Sequence, residues 1–249
     1  MPAPERRDRV ISTSGPALAP VVVVFDLDGT LVDHEGSVRT ALARWLPTLG
    51  LTLTEDLVAE WFAAERRHFP SWRSGLISFQ EQRRRRMRDF LLHIGRASEQ
   101  PDDRDALFAA YLQQYEAAWS AFDDVEPALS WLSSTPYGCA VLSNGTQAQQ
   151  EAKIASVGLT DRLGPVFTAE TLGAAKPAPE AFLRTCDALG VQPAQAAYVG
   201  DDFDVDIVAA RDAGLMSVYL DRNGRGPTRH PYRITSLRRL GDVFAPPPA

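Results

Sequence analysis

The stretch Val21–Asp33, VVVVFDLDGTLVD, sets the most apolar run of the chain directly against acids. Val21–Phe25 is too short for a core helix, and it is β-branched. Such a run suits a strand buried on both faces, which is the habit of a parallel sheet. Asp26 and Asp28 stand at the exit of that strand, one residue apart, ahead of Gly29 and Thr30. The bland alternative is a surface turn made by the Asp-Gly pair, but acids placed directly after a buried run need a further reason.

The second half repeats the pattern. Gly138–Leu142, Val166–Ala169, Ala196–Gly200 and Met216–Leu220 are short apolar runs separated by helical spacing. Helices are predicted over Gln147–Val157, Pro179–Leu189 and Asp204–Ala213. Each is followed at once by a glycine, Gly158, Gly190 or Gly214, where a left-handed residue closes a helix at least cost. Strand, helix, strand at this spacing predicts βαβ units, hence an α/β fold with a doubly wound parallel sheet.

Between about His34 and Phe122 the texture changes. Ser37–Leu49, Glu55–Phe69, Phe79–Ile94 and Asp103–Trp119 read as amphipathic helices, the third opened by a capping box of Ser78 and Glu81. Asp123, Asp124 and Pro127 lead back toward the sheet. The predicted organisation is a flexible tail over 1–19, an α/β core over 20–33 and 123–240, an inserted all-helical domain over 34–122, and a Pro-rich tail over 241–249.

The 249 residues, 45% hydrophobic and 23% charged, suffice for one large core or for a core with a smaller companion. A net charge of −6 makes the chain a poor general binder of nucleic acid, whose phosphates demand positive charge. No segment approaches the ~20 apolar residues that span a bilayer, so no membrane partner is expected. The N-terminal stretch lacks the continuous apolar region of a signal peptide. Cys139 and Cys186 lie in apolar segments, which suits buried free thiols in a reducing compartment, and a cytoplasmic location is expected.

Ligands of open parallel sheets bind beyond the carboxyl ends of the strands. Asp26 and Asp28 follow the first run. Ser143, Asn144, Gly145 and Thr146 follow the second. Lys176 and Pro177 come shortly after the third. Asp201, Asp202, Asp204 and Asp206 follow the fourth. One rim should therefore gather several acids, a lysine, and hydroxyl and amide donors. Packed carboxylates take up protons unless a cation compensates, and oxygen-only ligands suit Mg²⁺. No Cys/His cluster is available for zinc. A carboxylate can also act as a nucleophile, while Ser143, nearby amides and Lys176 suit phosphate oxygens.

In this order, DLDGT (Asp26–Thr30), LSN (Leu142–Asn144), Lys176-Pro177 and GDDFDVD (Gly200–Asp206) resemble the motifs of the haloacid dehalogenase-like (HAD) superfamily. The resemblance runs from Val21 to about Leu220, helical insertion included. It implies a Rossmann-like core with a helical cap, and a Mg²⁺-dependent phosphatase that hydrolyses a small phosphorylated metabolite through an aspartyl-phosphate. It implies that Asp26 attacks phosphorus and ligates Mg²⁺. Asp28 is implied as the general acid and base, with its backbone carbonyl on the metal. Ser143 and the Asn144 amide are implied to bind phosphate, Lys176 to offset charge, Asp201 to ligate the metal, and Asp206 to orient the shell. Asp202 stands where many relatives have serine, and Val205 where many have asparagine, so a metal role for Asp202 stays open.

Three rivals share features of this pattern. Carbon–halogen hydrolysis uses the nucleophilic aspartate, but such enzymes usually lack the second acid. A phosphomutase would use the same core. A non-catalytic phospho-acceptor domain also places an aspartate and Mg²⁺ at strand ends. The run Arg83–Arg86 with Arg88 spreads around a helix at about 100° per residue and reads as a solvated face, with one arginine available for an anionic substrate group. His34 falls near the junction of core and insertion, as a hinge, surface or substrate residue. Trp61, Phe62, Trp72, Trp119 and Trp131 read as packing. Asp204 reads as a helix N-terminal acid.

Overall fold

A computed structural model describes residues 20–96 and 100–244. The tail expected at 1–19 lies outside the described residues, as do 245–249 of the second tail. Strands β1 (Val22–Phe25), β2 (Gly138–Ser143), β3 (Val166–Thr168), β4 (Ala196–Gly200), β5 (Met216–Leu220) and β6 (Arg233–Ile234) form one sheet. Its order is β3-β2-β1-β4-β5-β6, with every neighbouring pair parallel. The apolar run that opens the sequence is thus the centre of the sheet. Alternate residues serve opposite layers, as a pleat requires. Val23 and Phe25 join one apolar cluster with Val141, Val199 and Val218. Val22 and Val24 join the other with Ala140, Leu142 and Tyr198.

The insertion folds as α1 (His34–Trp45), α2 (Glu55–Arg73), α3 (Phe79–His93) and α4 (Pro101–Glu116). These helices pack around their own apolar centre, which includes Trp45, Trp61, Phe90 and Tyr111. α1 begins earlier than apolar spacing predicts because Asp33 caps it, accepting from the Gly36 N–H. α2 runs past Phe69 through Pro70 to Arg73. α4 opens with Pro101, at a position where the missing N–H costs nothing.

In the core, α5 (Val125–Ser133), α6 (Gln147–Ser156) and α10 (Leu240–Phe244) flank one face of the sheet. α8 (Pro179–Leu189) and α9 (Ala209–Asp212) flank the other, and the short α7 (Ala169–Leu172) follows β3. Four features depart from the sequence reading. α5 tolerates Pro127 because it sits in the first turn, where no helical hydrogen bond needs its N–H. β6 is too short to carry a pattern. The helix predicted over Asp204–Ala213 is instead a π-helical turn, Phe203–Val208, that runs into α9. Gly241–Phe244, expected as tail, is helical and seats Phe244 against Trp131 and Tyr137.

The two connections between core and insertion run side by side. Val32 bridges Ala121, Asp33 N–H donates to Ser120 O at 2.9 Å, and Phe122 N–H donates to Leu31 O at 3.2 Å. Among the described residues, no helix is long and apolar enough to cross a membrane.

Candidate active site

The strand order reverses beside β1, so the connections leaving β1 and β4 diverge to opposite faces and open a crevice at their carboxyl ends. Asp26 leaves β1, Ser143 ends β2 and Asp201 leaves β4 at this crevice. Asp26, Asp28, Ser143, Asn144, Lys176, Asp201, Asp202 and Asp206 all line one cavity of about 260 Å³. Its roof comes from the helical insertion.

At the floor, Lys176 Nζ donates to Asp26 Oδ1 at 2.6 Å and to Asp206 Oδ1 at 2.7 Å, and lies 2.7 Å from the Tyr198 hydroxyl. Carboxylate oxygens of Asp26, Asp201 and Asp206 lie within 4.8 Å of one another. Thr30 Oγ1 donates to Asp201 at 3.2 Å. Burial pushes Asp26 up to about 7, against the pull of Lys176, and burial with the neighbouring Asp26 and Asp206 raises Asp201 well above the usual carboxylate range. Burial alone would lower Lys176, but Asp206 and Asp26 outweigh it and hold the ammonium charged. Three acids facing one lysine leave surplus negative charge, and every donor in the group is oxygen. That set fits a hard divalent cation. The close approach depends on glycine. A Cβ on Gly29, whose φ is 91°, would lie 2.3 Å from Asp201 Oδ2, and one on Gly200 would lie 2.4 Å from Asp206 Oδ2.

Asp28 leaves the same strand end but has different partners. Lys153 Nζ donates to its Oδ1 at 2.5 Å, and Gln150 Nε2 lies 3.3 Å from its Oδ2 and 2.8 Å from Ser143 Oγ. Burial would raise Asp28, but Lys153, His34 and Gln150 outweigh it and hold the carboxyl below its usual range. Sequence reading missed Lys153 and Gln150. The available signal was their spacing on α6, three residues apart on one face of a helix that begins just after Ser143. The Asn144 side chain brackets the Lys176 backbone, donating to its O at 2.9 Å and accepting from its N–H at 2.8 Å. The Asp202 carboxylate caps the π-helical turn by accepting from Asp204 and Val205 N–H, and it is not one of the three clustered acids.

The roof sharpens two expectations. His34, beside the junction of core and insertion, is not fully exposed. Its Nδ1 lies 2.8 Å from the Tyr115 hydroxyl and its Nε2 3.2 Å from Glu65 Oε1, and it lines the cavity. The arginine run is not uniformly solvated either. Arg84 pairs with Asp105, Arg85 with Glu81 and Arg88 with Asp89 on the outside. Arg86 is buried, donates to Glu65 Oε2 at 2.6 Å, and lines the cavity together with Arg83. Burial would raise Glu65, yet Arg86 and His34 hold it down to about 2.

From residue 21 to residue 214 the chain matches the protein-family model for haloacid dehalogenase-like hydrolases. It is 32% identical over 203 residues to the ribulose-1,5-bisphosphate 5-phosphatase of Halopiger xanaduensis, a match covering 80% of this chain and 84% of that one. It is 29% identical over 226 residues to (S)-2-haloacid dehalogenase 4A of Burkholderia cepacia, covering 89% and 94%. Among solved structures, a HAD-hydrolase, YfnB, from Bacillus subtilis, bound to magnesium, superposes with a TM-score of 0.80 at 21% identity, over 91% of this chain and 99% of that one. This last likeness is one of fold.

Proposed function

The chain belongs to the haloacid dehalogenase-like hydrolases, and from that premise we propose a Mg²⁺-dependent phosphatase of small phosphomonoesters that works through an aspartyl-phosphate on Asp26. One observation carries this reading. Two carboxylates from one strand end enter one cavity with separate lysine partners, Asp26 on Lys176 and Asp28 on Lys153. Different partners suit different tasks. Haloacid hydrolysis needs a nucleophilic carboxylate but no acid, because a halide leaves without a proton. An alkoxide leaves badly without one, so a placed Asp28 favours the phosphomonoester.

Asp26 attacks phosphorus while the ester oxygen departs, and Asp28, which takes up a proton as the anionic phosphate enters beside it, delivers that proton to the oxygen. Water then attacks the aspartyl-phosphate, Asp28 takes its proton, and phosphate leaves with Asp26 restored. The Ser143 hydroxyl and the Asn144 backbone amide receive phosphoryl oxygens, and Lys176 offsets their charge. Asp26, Asp201 and the Asp28 carbonyl would hold Mg²⁺, with Asp206 orienting the group. When bound, the ion supplies charge neutralisation at the phosphoryl oxygens and favours the ionised, nucleophilic form of Asp26. The insertion of residues 34–122 acts as the cap that encloses the substrate.

The test is turnover. Chelation by EDTA should abolish repeated release of p-nitrophenol from p-nitrophenyl phosphate. Mg²⁺ should restore it, and Ca²⁺ should do so poorly because its larger, looser shell spoils in-line geometry. Full activity after verified metal removal, or a single turnover per chain, refutes the proposal.

A further inference from the structure

We infer that the substrate is a short phosphomonoester carrying a second anionic group, carboxylate or phosphate, which Arg83 and Arg73 receive at the roof of the cavity. This rests on the phosphatase reading and adds the substrate class. The argument begins with charge. α3 carries Arg83, Arg84, Arg85, Arg86 and Arg88. Four of these hold an acid: Asp105, Glu81, Glu65 and Asp89 in turn. Arg83 has no ion pair or hydrogen bond among the described residues, yet it is the one beside Arg86 in the cavity wall. Its guanidinium lies 4.3 Å from the Phe79 ring centre and 5.2 Å from that of Phe108. Cation–π contact of this kind holds the guanidinium against the rings and leaves its N–H donors unspent.

Arg73, at the end of α2, lines the same cavity and likewise has no hydrogen bond or ion pair among the described residues. Burial lowers both guanidinium pKa values, against the pull of Asp202, Asp206 and Glu65 on Arg73 and of Glu116 on Arg83. Beside Arg83, Gln82 is 1% exposed, and its buried side-chain oxygen has no partner among the described residues. The roof therefore holds positive charge and polar capacity that the protein itself does not use.

The transferred phosphoryl group does not account for this charge. It is met at the floor by Lys176, while Glu65 already neutralises Arg86. Planar Arg forks match carboxylate or phosphate in bidentate fashion. At about 260 Å³, the cavity falls at or below the ~300–1,000 Å³ of ordinary small-molecule sites, so both anions must lie on one short molecule.

The test compares kcat/KM, with Mg²⁺ present, for four esters: 2-phosphoglycolate with a carboxylate tail, a pentose 1,5-bisphosphate with a phosphate tail, 2-hydroxyethyl phosphate with a short neutral tail, and a nucleoside monophosphate whose tail is a neutral ring system. One of the two anionic-tailed esters should exceed both neutral-tailed ones by roughly ten- to hundredfold, the scale of hydrogen bonds to a charged group. The winner of those two identifies the anion. Arg83→Gln should collapse that ratio by tenfold or more, chiefly through KM, and Arg83→Lys should recover part of it. Equal or better turnover of a neutral-tailed ester by the unaltered protein overturns the inference without any variant. An unchanged ratio in a folded Arg83→Gln protein also overturns it. Absence of phosphate release from all four esters and from p-nitrophenyl phosphate refutes the phosphatase reading beneath it.

Discussion

At the scale of single residues, charge is distributed by partner rather than by position. Asp26 and Asp28 lie two residues apart, yet Lys176 and Lys153 reach them from different elements. Glu65 shows the same principle in the roof, where it joins Arg86 to His34. Burial would lower His34, but Glu65 and Asp28 raise its pKa above the ordinary 6.5. A raised histidine stabilises the fold fully below its unfolded pKa, and that contribution is lost as pH climbs through the folded value. Glu65, held at about 2 from an ordinary 4.5, stabilises above 4.5 and loses its contribution as pH falls toward 2. The pair is therefore at full strength between about 4.5 and 6.5 and weakens on either side. Glu65→Gln should cost most stability inside that window, and a titration of the His34 ring by NMR should show its pKa dropping. A stability difference that is flat from acid to alkaline pH would contradict this account.

At the scale of elements, α6 does more than cover the sheet. Gln150 and Lys153 are each 2% exposed on a helix of mainly polar sequence, QAQQEAKIAS. Their face meets Asp28 and Ser143 instead of water. Lys153 is accordingly a positioning residue for Asp28. Lys153→Met should lower kcat by at least ~10-fold, part of the ~10²–10⁴ that a placed acid–base group contributes, with a smaller change in KM. Lys153→Arg should recover part of the loss. A kcat within twofold of the parent in the methionine variant would reduce Lys153 to packing. The π-helical turn Phe203–Val208 is a second case. Asp202 caps it while Asp206 folds back onto Lys176, so a regular helix yields locally to the needs of the site, as π turns often do.

At the scale of the whole molecule, separate apolar centres support the core and the insertion. The cavity lies where the two meet, and the paired linkers at Val32 and Ala121 tie their relative placement to one narrow junction. Junctions of this kind suit lids, whose motion admits substrate and then excludes water. The separate centres carry a consequence for stability. Phe90 is fully buried, with ring centres 5.8 Å from Trp45 and 5.2 Å from Trp61. Phe90→Ala should cost ~3–5 kcal/mol. Hydrogen exchange should show lost protection over α1 to α4, with the sheet strands little changed. Equal loss in β1 and β4 would mean that the two bodies fold as one cooperative unit.

The sequence by itself determined five strands of the sheet and the acids and lysine at the floor of the cavity. β4 and β5 were predicted to the residue, and Pro179–Leu189 likewise. A parallel strand buried on both faces is apolar whatever its neighbours are, and a glycine past a helix is dictated locally. Asp26 and Asp201 follow such strands directly, Ser143 ends one, and Lys176 comes after the short α7 beyond β3, so the fold rule that places strand ends together also places them. Only the tertiary structure decided the partners. Lys153 lies 125 residues from Asp28, and Arg86 lies 21 from Glu65. Helical periodicity says which residues share a face but not what that face meets. Arg83 and Arg84 are neighbours in one run, yet one lines the cavity and the other pairs with Asp105. That division depends on how α3 is rotated against α2 and α4, a choice made by long-range packing of Trp61, Phe90 and Phe108.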